Sequence, residues 1–163
     1  MKEIVLITGA NGELAKAAKK ILSISYHVRC LTSSKKSVDG KSTFYWNIRK
    51  KYVDRNALKN CNHIVHLSGY SILKRWNKKN KKLMYDSRVK GSELLFDTCK
   101  EQNLNLQTFI SASAIGIYGL TATGTKYEHS KLGDDWVAKM VQDWEISADK
   151  FKEIGSRVIQ MMI

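Results

Sequence analysis

Near its start the chain runs from a short apolar stretch into a glycine turn: Ile4-Val5-Leu6-Ile7-Thr8-Gly9-Ala10-Asn11-Gly12-Glu13-Leu14-Ala15. The apolar run reads as a short buried strand, and the residues after Gly12 read as an amphipathic helix. Gly9 permits a sharp turn because it takes positive φ without a Cβ clash. Gly12 lets an anion come close to the backbone, and Ala15 is small enough for the helix to pack on the strand. The free N–H groups at the helix start would face that anion. The spacing is G-x-x-G-x-x-A rather than G-x-G-x-x-G, so its weight comes from its place between strand and helix. Thr8, Gly9, Asn11, Gly12, Glu13 and Leu14 are the candidate phosphate-turn residues. The alternative is an ordinary strand–turn–helix loop that binds nothing.

The rest of the chain alternates strand and helix. Strands are predicted over 4–8, 27–32, 43–46, 63–68, 107–113 and 157–163. Helices are predicted from 12 to 22, over 55–59 and 78–101, and from 134 to 152. The first helix would bury Leu14, Ala17, Ala18, Ile21 and Leu22. In the last, Trp136 and Trp144 read as part of the apolar face. This alternation predicts an α/β fold of the Rossmann type, a doubly wound parallel sheet with helices on both faces. The expected strand order is 3-2-1-4-5-6. The 163 residues form one domain, long enough to bury a core.

No stretch approaches the ~20 apolar residues of a membrane span, and there is no signal peptide. Cys30, Cys61 and Cys99 lie far apart without metal-ligand spacing, which argues against a disulfide or zinc framework and fits a reducing cytoplasm. No metal ligands are expected. The net charge of +13 is uneven: residues 1–90 hold 21 Lys/Arg against 5 Asp/Glu. The densest block, 74–82, carries one interleaved aromatic, Trp76, and no nucleic-acid motif. It reads as a solvated basic face rather than a nucleic-acid site.

Several segments carry a family resemblance. They are Ile7-Thr8-Gly9-Ala10-Asn11-Gly12, His63-Ile64-Val65-His66-Leu67-Ser68-Gly69, Lys74-Arg75-Trp76 and Asp86-Ser87-Arg88-Val89. Further along come Phe109-Ile110-Ser111-Ala112-Ser113, followed through to Tyr118-Gly119, then Gly133-Asp134-Asp135-Trp136 and Trp144-Glu145. In this order and spacing the chain resembles the cofactor-binding part of extended and atypical short-chain dehydrogenases/reductases, the sugar-nucleotide epimerase-like (NAD-dependent epimerase/dehydratase) group. The resemblance implies a small-molecule substrate, such as a sugar nucleotide, and a substrate-binding part following Ile163. Many members dimerise through the helices flanking the fourth and fifth strands, so a homodimer is a family expectation.

The resemblance also implies site residues. In the family, the end of the second strand selects the cofactor. Here Ser33, Ser34 and Lys35 stand there without a carboxylate, which favours NADP over NAD. Leu67, Ser68 and Gly69 would lie along the cofactor ribose, and Ser111 near it. The wider superfamily works with Ser, Tyr and Lys, tyrosine acting as acid and base on a substrate hydroxyl. Ser113 fits the serine role. Tyr127 and Lys131 form a literal Y-x-x-x-K, which would share one face if helical. Alignment on Gly133-Asp134-Asp135-Trp136 instead places Val137 and Val141 at those positions. Arg88 falls on a stripe with Met84, Gly91, Leu95 and Cys99, where an arginine needs an anionic or carbonyl partner. Two readings stay open: an epimerase/dehydratase- or reductase-like enzyme, and a non-catalytic NADP-binding sensor or interaction module.

Overall fold

The computed structural model describes residues 2–163. Six parallel strands and one short antiparallel strand form a single sheet in the order β4-β3-β2-β1-β5-β6-β7. The strands are β1 (Ile4–Thr8), β2 (His27–Thr32), β3 (Thr43–Asn47), β4 (Tyr52–Val53), β5 (His63–His66), β6 (Thr108–Ser113) and β7 (Arg157–Met162). The helices are α1 (Glu13–Leu22), α2 (Lys78–Tyr85), α3 (Gly91–Glu101) and α4 (Trp136–Asp149). Leaving out β4, this is the predicted Rossmann order. The strand order reverses beside β1, between β2 and β5. In an open α/β sheet, ligands bind outside the strand ends at such a point.

Parallel strands buried on both faces read as near-continuous apolar runs, and this is why they were legible. One face packs Leu6, Leu31, Phe44, Ile64 and Phe109 against Leu95, Phe96 and Cys99 of α3 and Ala148 of α4. The other packs Val5, Ile7, Val28, Cys30 and Val65 against Ala15, Ala18 and Leu22 of α1. Phe109 stacks on Phe151 with ring centroids 3.6 Å apart and planes 8° from parallel.

Four details differ from the sequence expectations. Leu14, Ala17 and Ile21 of α1 are exposed, Leu14 by 56% and Ile21 by 67%, because the helix meets the sheet along its Ala15, Ala18 and Leu22 edge. The apolar stripe is wider than the contact. The predicted helix at 55–59 is a single 3-10 turn, Arg55–Ala57, and the two-residue β4 precedes it. The predicted fourth strand stops at His66, so Leu67 and Ser68 lie beyond the sheet. The predicted long helix 78–101 is divided by a π-helical stretch, Asp86–Lys90. Side chains divert backbone groups there. The Met84 carbonyl accepts bonds from Ser87 Oγ (3.0 Å) and Arg88 Nη1 (3.1 Å).

A buried network fixes the strand ends around the glycine turn. Thr8 Oγ1 accepts the amides of Leu67 (3.0 Å) and Ser68 (3.1 Å). It also lies 2.9 Å from His66 Nδ1, while His66 Nε2 lies 3.3 Å from the Arg88 carbonyl. A carbonyl can only accept, which assigns the proton to Nε2 and leaves Nδ1 to accept from the Thr8 hydroxyl. His66 is therefore neutral. Burial away from water, opposed by its bond to the Arg88 carbonyl, pushes its pKa down from 6.5 to about 4, and the nearby Arg88 charge adds to the shift.

Two outcomes follow from this packing. Between pH 6.5 and 4 the unfolded chain takes a proton on His66 that the folded chain refuses. Stability is therefore full above that window and falls as the pH drops through it, by roughly 3 kcal/mol. Urea denaturation across that range is expected to show this loss, and His66→Asn to flatten it. An unchanged slope in the variant would refute the assignment. Phe151→Ala empties a fully buried stacked position and is expected to cost about 3–5 kcal/mol. A loss under about 1 kcal/mol in the same assay would contradict it.

Candidate functional site

The glycine turn sits at the carboxyl end of β1, beside the reversal in strand order. Gly9 has φ +73°, and a Cβ there would lie 3.0 Å from the Leu67 carbonyl oxygen. The turn closes when the Gly12 amide donates to the Gly9 carbonyl at 2.8 Å. Gly12 is the N-cap of α1 and supplies no side chain to it, so the first amides of the helix, at Glu13, Leu14 and Ala15, are left to an outside acceptor. Asn11, Gly12, Glu13 and Leu14 are all exposed. Asn11 Nδ2 donates to Thr32 Oγ1 (3.5 Å), which also accepts the Ser34 amide (3.1 Å). The two loops are thereby tied together.

Next to the turn lies a cavity of about 440 Å³. Ser33, Ser68, Gly69 and Tyr70 line it from the ends of β2 and β5, with Asn47, Ile48 and Arg49 following β3. The structure thus brings together the predicted Ser33, Ser68 and Gly69. It adds Arg49, whose place in an exposed turn gave no periodic signal. Lys35 lies one turn on from Ser33, with Nζ 5.5 Å from the Tyr45 ring centroid. The uncapped amides of α1 leave donors for an anion, and the cavity, more apolar than polar with Arg49 at its rim, could take part of a nucleotide.

Arg88 projects from the π-helical stretch beneath Gly69. A Cβ on Gly69 would sit 3.0 Å from Arg88 Nη2. Arg88 Nη1 donates to the carbonyls of Tyr70 and Met84, each at 3.1 Å, and the guanidinium lies 5.3 Å from the Trp144 ring centroid. Burial lowers its pKa, and among the described residues no carboxylate pairs with it. A five-donor group with two bonds of this kind keeps N–H groups for another acceptor. A π-helical turn is often found at such positions.

Ser111 and Ser113 end β6 on the same side of the strand, both buried. Ser111 Oγ donates to the Ala112 carbonyl at 2.9 Å. Ser113 Oγ donates to Glu145 Oε1, on α4. Tyr127 and Lys131 are exposed and lie in turn and loop structure ahead of α4, so they do not share a helix face. Tyr127 stacks on His129, with centroids 5.7 Å apart, and its amide donates to Ser130 Oγ. Val137 and Val141 occupy the buried face of α4. Asp135 caps that helix through Ala138 N (2.9 Å) and also holds Leu120 N (2.7 Å). These backbone bonds, the one from Ala138 foremost, lower its pKa.

A second cleft, of about 780 Å³, opens between the 117–132 loop, α4 and β7, lined among others by Tyr118, Tyr127, His129, Glu145 and Gln160. Sequence reasoning passed over Glu145. The signal was there: a carboxylate one helical turn beyond Val137 and Val141, on an otherwise apolar stripe.

The basic block 74–82 is largely exposed, as the sequence suggested. Lys82 and Lys90 both pair with Asp86. Trp136, on the apolar face as expected, is partly buried against the cluster of Met84, Val137, Met140 and Val141, and meets Trp76 edge-on at 5.8 Å beside Lys78, Lys81 and Lys82. Trp144 is buried as expected. The three cysteines are free and buried, with burial pushing Cys61 up to about 11 and Cys99 to about 12. Among the described residues no group of three or more His, Cys, Asp or Glu is placed to hold a metal ion. No helix among them is long and apolar enough to cross a membrane.

Comparison with known proteins agrees with this fold. An epimerase family protein of Mycobacterium leprae is 29% identical over 159 residues, which cover 97% of this chain and 51% of that protein. The chain thus spans about half the length of the curated relatives it matches. A nucleoside-diphosphate sugar epimerase from Corynebacterium glutamicum superposes with a TM-score of 0.81 at 27% identity, over 99% of this chain and 34% of that one. A human epimerase family protein solved with NADPH gives 0.75 at 21%, over 96% and 52%, a likeness of fold. The model of the NAD dependent epimerase/dehydratase family matches residues 5–142. With its glycine turn, strand order and nucleotide-sized cavity, the chain belongs to the NAD dependent epimerase/dehydratase family.

Proposed function

We propose that the chain is the cofactor-binding part of an epimerase/dehydratase- or reductase-like enzyme acting at a hydroxyl or carbonyl carbon of a sugar nucleotide or similar metabolite. The observation that carries this reading is the uncapped start of α1 behind Gly9 and Gly12, opening beside the Ser33–Gly69 cavity. Thr8, Gly9, Asn11, Gly12, Glu13 and Leu14 would hold the pyrophosphate, and Leu67, Ser68, Gly69 and Ser111 would flank the ribose and nicotinamide. A nicotinamide bound there supplies a hydride acceptor or donor. NADP is favoured over NAD because Ser33, Ser34 and Lys35 place hydroxyls and a cation, and no carboxylate, after β2, with Arg49 lining the cavity; the carboxylate that also lines it, Asp86, is paired with Lys82 and Lys90. Arg88 would direct its remaining N–H groups at a cofactor or substrate oxygen. A cytoplasmic setting and a homodimer built on the helices beside β5 and β6 belong to the same proposal.

A second reading, a non-catalytic NADP-binding sensor or interaction module, draws on one observation. Val137 and Val141 stand buried where the alignment puts the tyrosine and lysine, and Tyr127 and Lys131 lie outside any helix.

Calorimetric titration with NADPH and NADH tests both readings at their root. NADPH is expected to bind at least tenfold more tightly than NADH. Gly12→Asp, which puts a carboxylate at the phosphate turn, is expected to weaken it at least tenfold. Replacing Lys35 and Arg49 by Ala should narrow the gap between the two nucleotides. A folded chain that binds neither nucleotide would overturn the proposal.

A further inference from the structure

We infer that Glu145 is the proton acceptor and donor of the second cleft, with Ser113 as its positioning residue. The role rests on the enzymatic reading above.

Glu145 reaches this cleft from α4, one helical turn past Val141. Its Oε1 accepts the Ser113 hydroxyl, and its backbone carbonyl accepts Gln160 Nε2 from β7 at 3.0 Å. Gln160 Nε2 also donates to Asp149 Oδ1 at 3.1 Å, which anchors that side of the cleft. β6 thus bonds the carboxylate, and β7 bonds the backbone of the same residue. Its other oxygen, Oε2, has no hydrogen-bond partner among the described residues, and Glu145 lines the cleft with Tyr118, Tyr127, His129 and Gln160. Ser113 lies behind it, 1% exposed. The serine hydroxyl is spent on the carboxylate, so the carboxylate is what a substrate would meet. Val137 and Val141 cannot ionise, and Glu145 is the group on their face of α4 that can.

The step is a proton transfer. A substrate O–H bond breaks, an O–H bond forms at Glu145 Oε2, and the negative charge passes from the carboxylate to the substrate oxygen. The hydride on the carbon bearing that oxygen would pass to a nicotinamide bound in the cofactor site, and the C–O bond would become a carbonyl. In the reverse direction neutral Glu145 returns the proton. Throughout, the Ser113 hydroxyl stays on Oε1 and keeps the carboxyl group from rotating.

Two measurements on the full chain test this. The first is carbodiimide coupling of glycinamide to carboxylates, read by mass spectrometry. Glu145 is expected to be labelled, as is Glu128 in the same cleft; labelling of Glu128 without Glu145 would overturn the cleft-facing role. The second follows nucleotide reduction with NADP and UDP-glucose as a representative nucleoside-diphosphate sugar. Glu145→Gln is expected to lower kcat at least 100-fold with KM and NADPH affinity within about threefold. Ser113→Ala is expected to lower kcat about tenfold, and Ser113→Thr to restore it. Full turnover in Glu145→Gln would overturn this role and leave the proposed function standing. A parent chain that binds NADPH yet turns over no sugar nucleotide would overturn this role in the chain and leave the cofactor-binding reading standing.

Discussion

One hydroxyl holds the nucleotide end of this sheet together. Thr8 Oγ1 accepts two successive amides from the chain leaving β5 and donates to a buried histidine on β5 itself. Without it those amides and the histidine ring would be left inside the protein with nothing to bond, at a cost of one to three kcal/mol for each group. The network also fixes what lies next to it. Leu67 is held so close to Gly9 that a Cβ there would touch its carbonyl. The far side of His66 fastens to the Arg88 backbone, in the middle of the π-helical stretch. The glycine turn, the chain leaving β5 and the buried arginine are therefore tied to one another.

The parts of the fold that were legible in sequence are those that repeat a physical pattern. The six predicted parallel strands are mostly apolar runs and all six form, the fourth ending at His66 and the last at Met162, and the glycine turn had its position between strand and helix to identify it. What was missed has no period. β4 is two residues long, and its only signature is a pairing with Trp46 and Asn47. The π-helical stretch arises because side chains of Ser87 and Arg88 take the Met84 carbonyl, and spacing of apolar residues does not register that. Leu14 and Ile21 fit an amphipathic stripe, but a stripe says which face is apolar and not how much of it a neighbour covers.

The candidate site divides in the same way. The cofactor side was readable because backbone geometry carries it, and backbone geometry is written in glycines and small residues. Arg49 was not, since it comes to line the same cavity as Ser33 only through the folding of β3 beside β2. On the chemical side, attention to a tyrosine-lysine spacing drew the reading toward an exposed loop, while the carboxylate that bonds Ser113 sat in plain view after Trp144. A charged residue at helical spacing with buried valines is a stronger signal than a short motif in a lysine-rich chain, because burial of a charge needs a reason.

The central claim is that the Thr8 network makes the nucleotide site. Thr8→Val keeps the shape of the side chain and removes the hydroxyl. Its NADPH affinity, measured by fluorescence titration alongside circular dichroism, is the most direct test. The account predicts a folded variant that binds NADPH at least tenfold more weakly. A folded variant that binds it as tightly as the parent would contradict it.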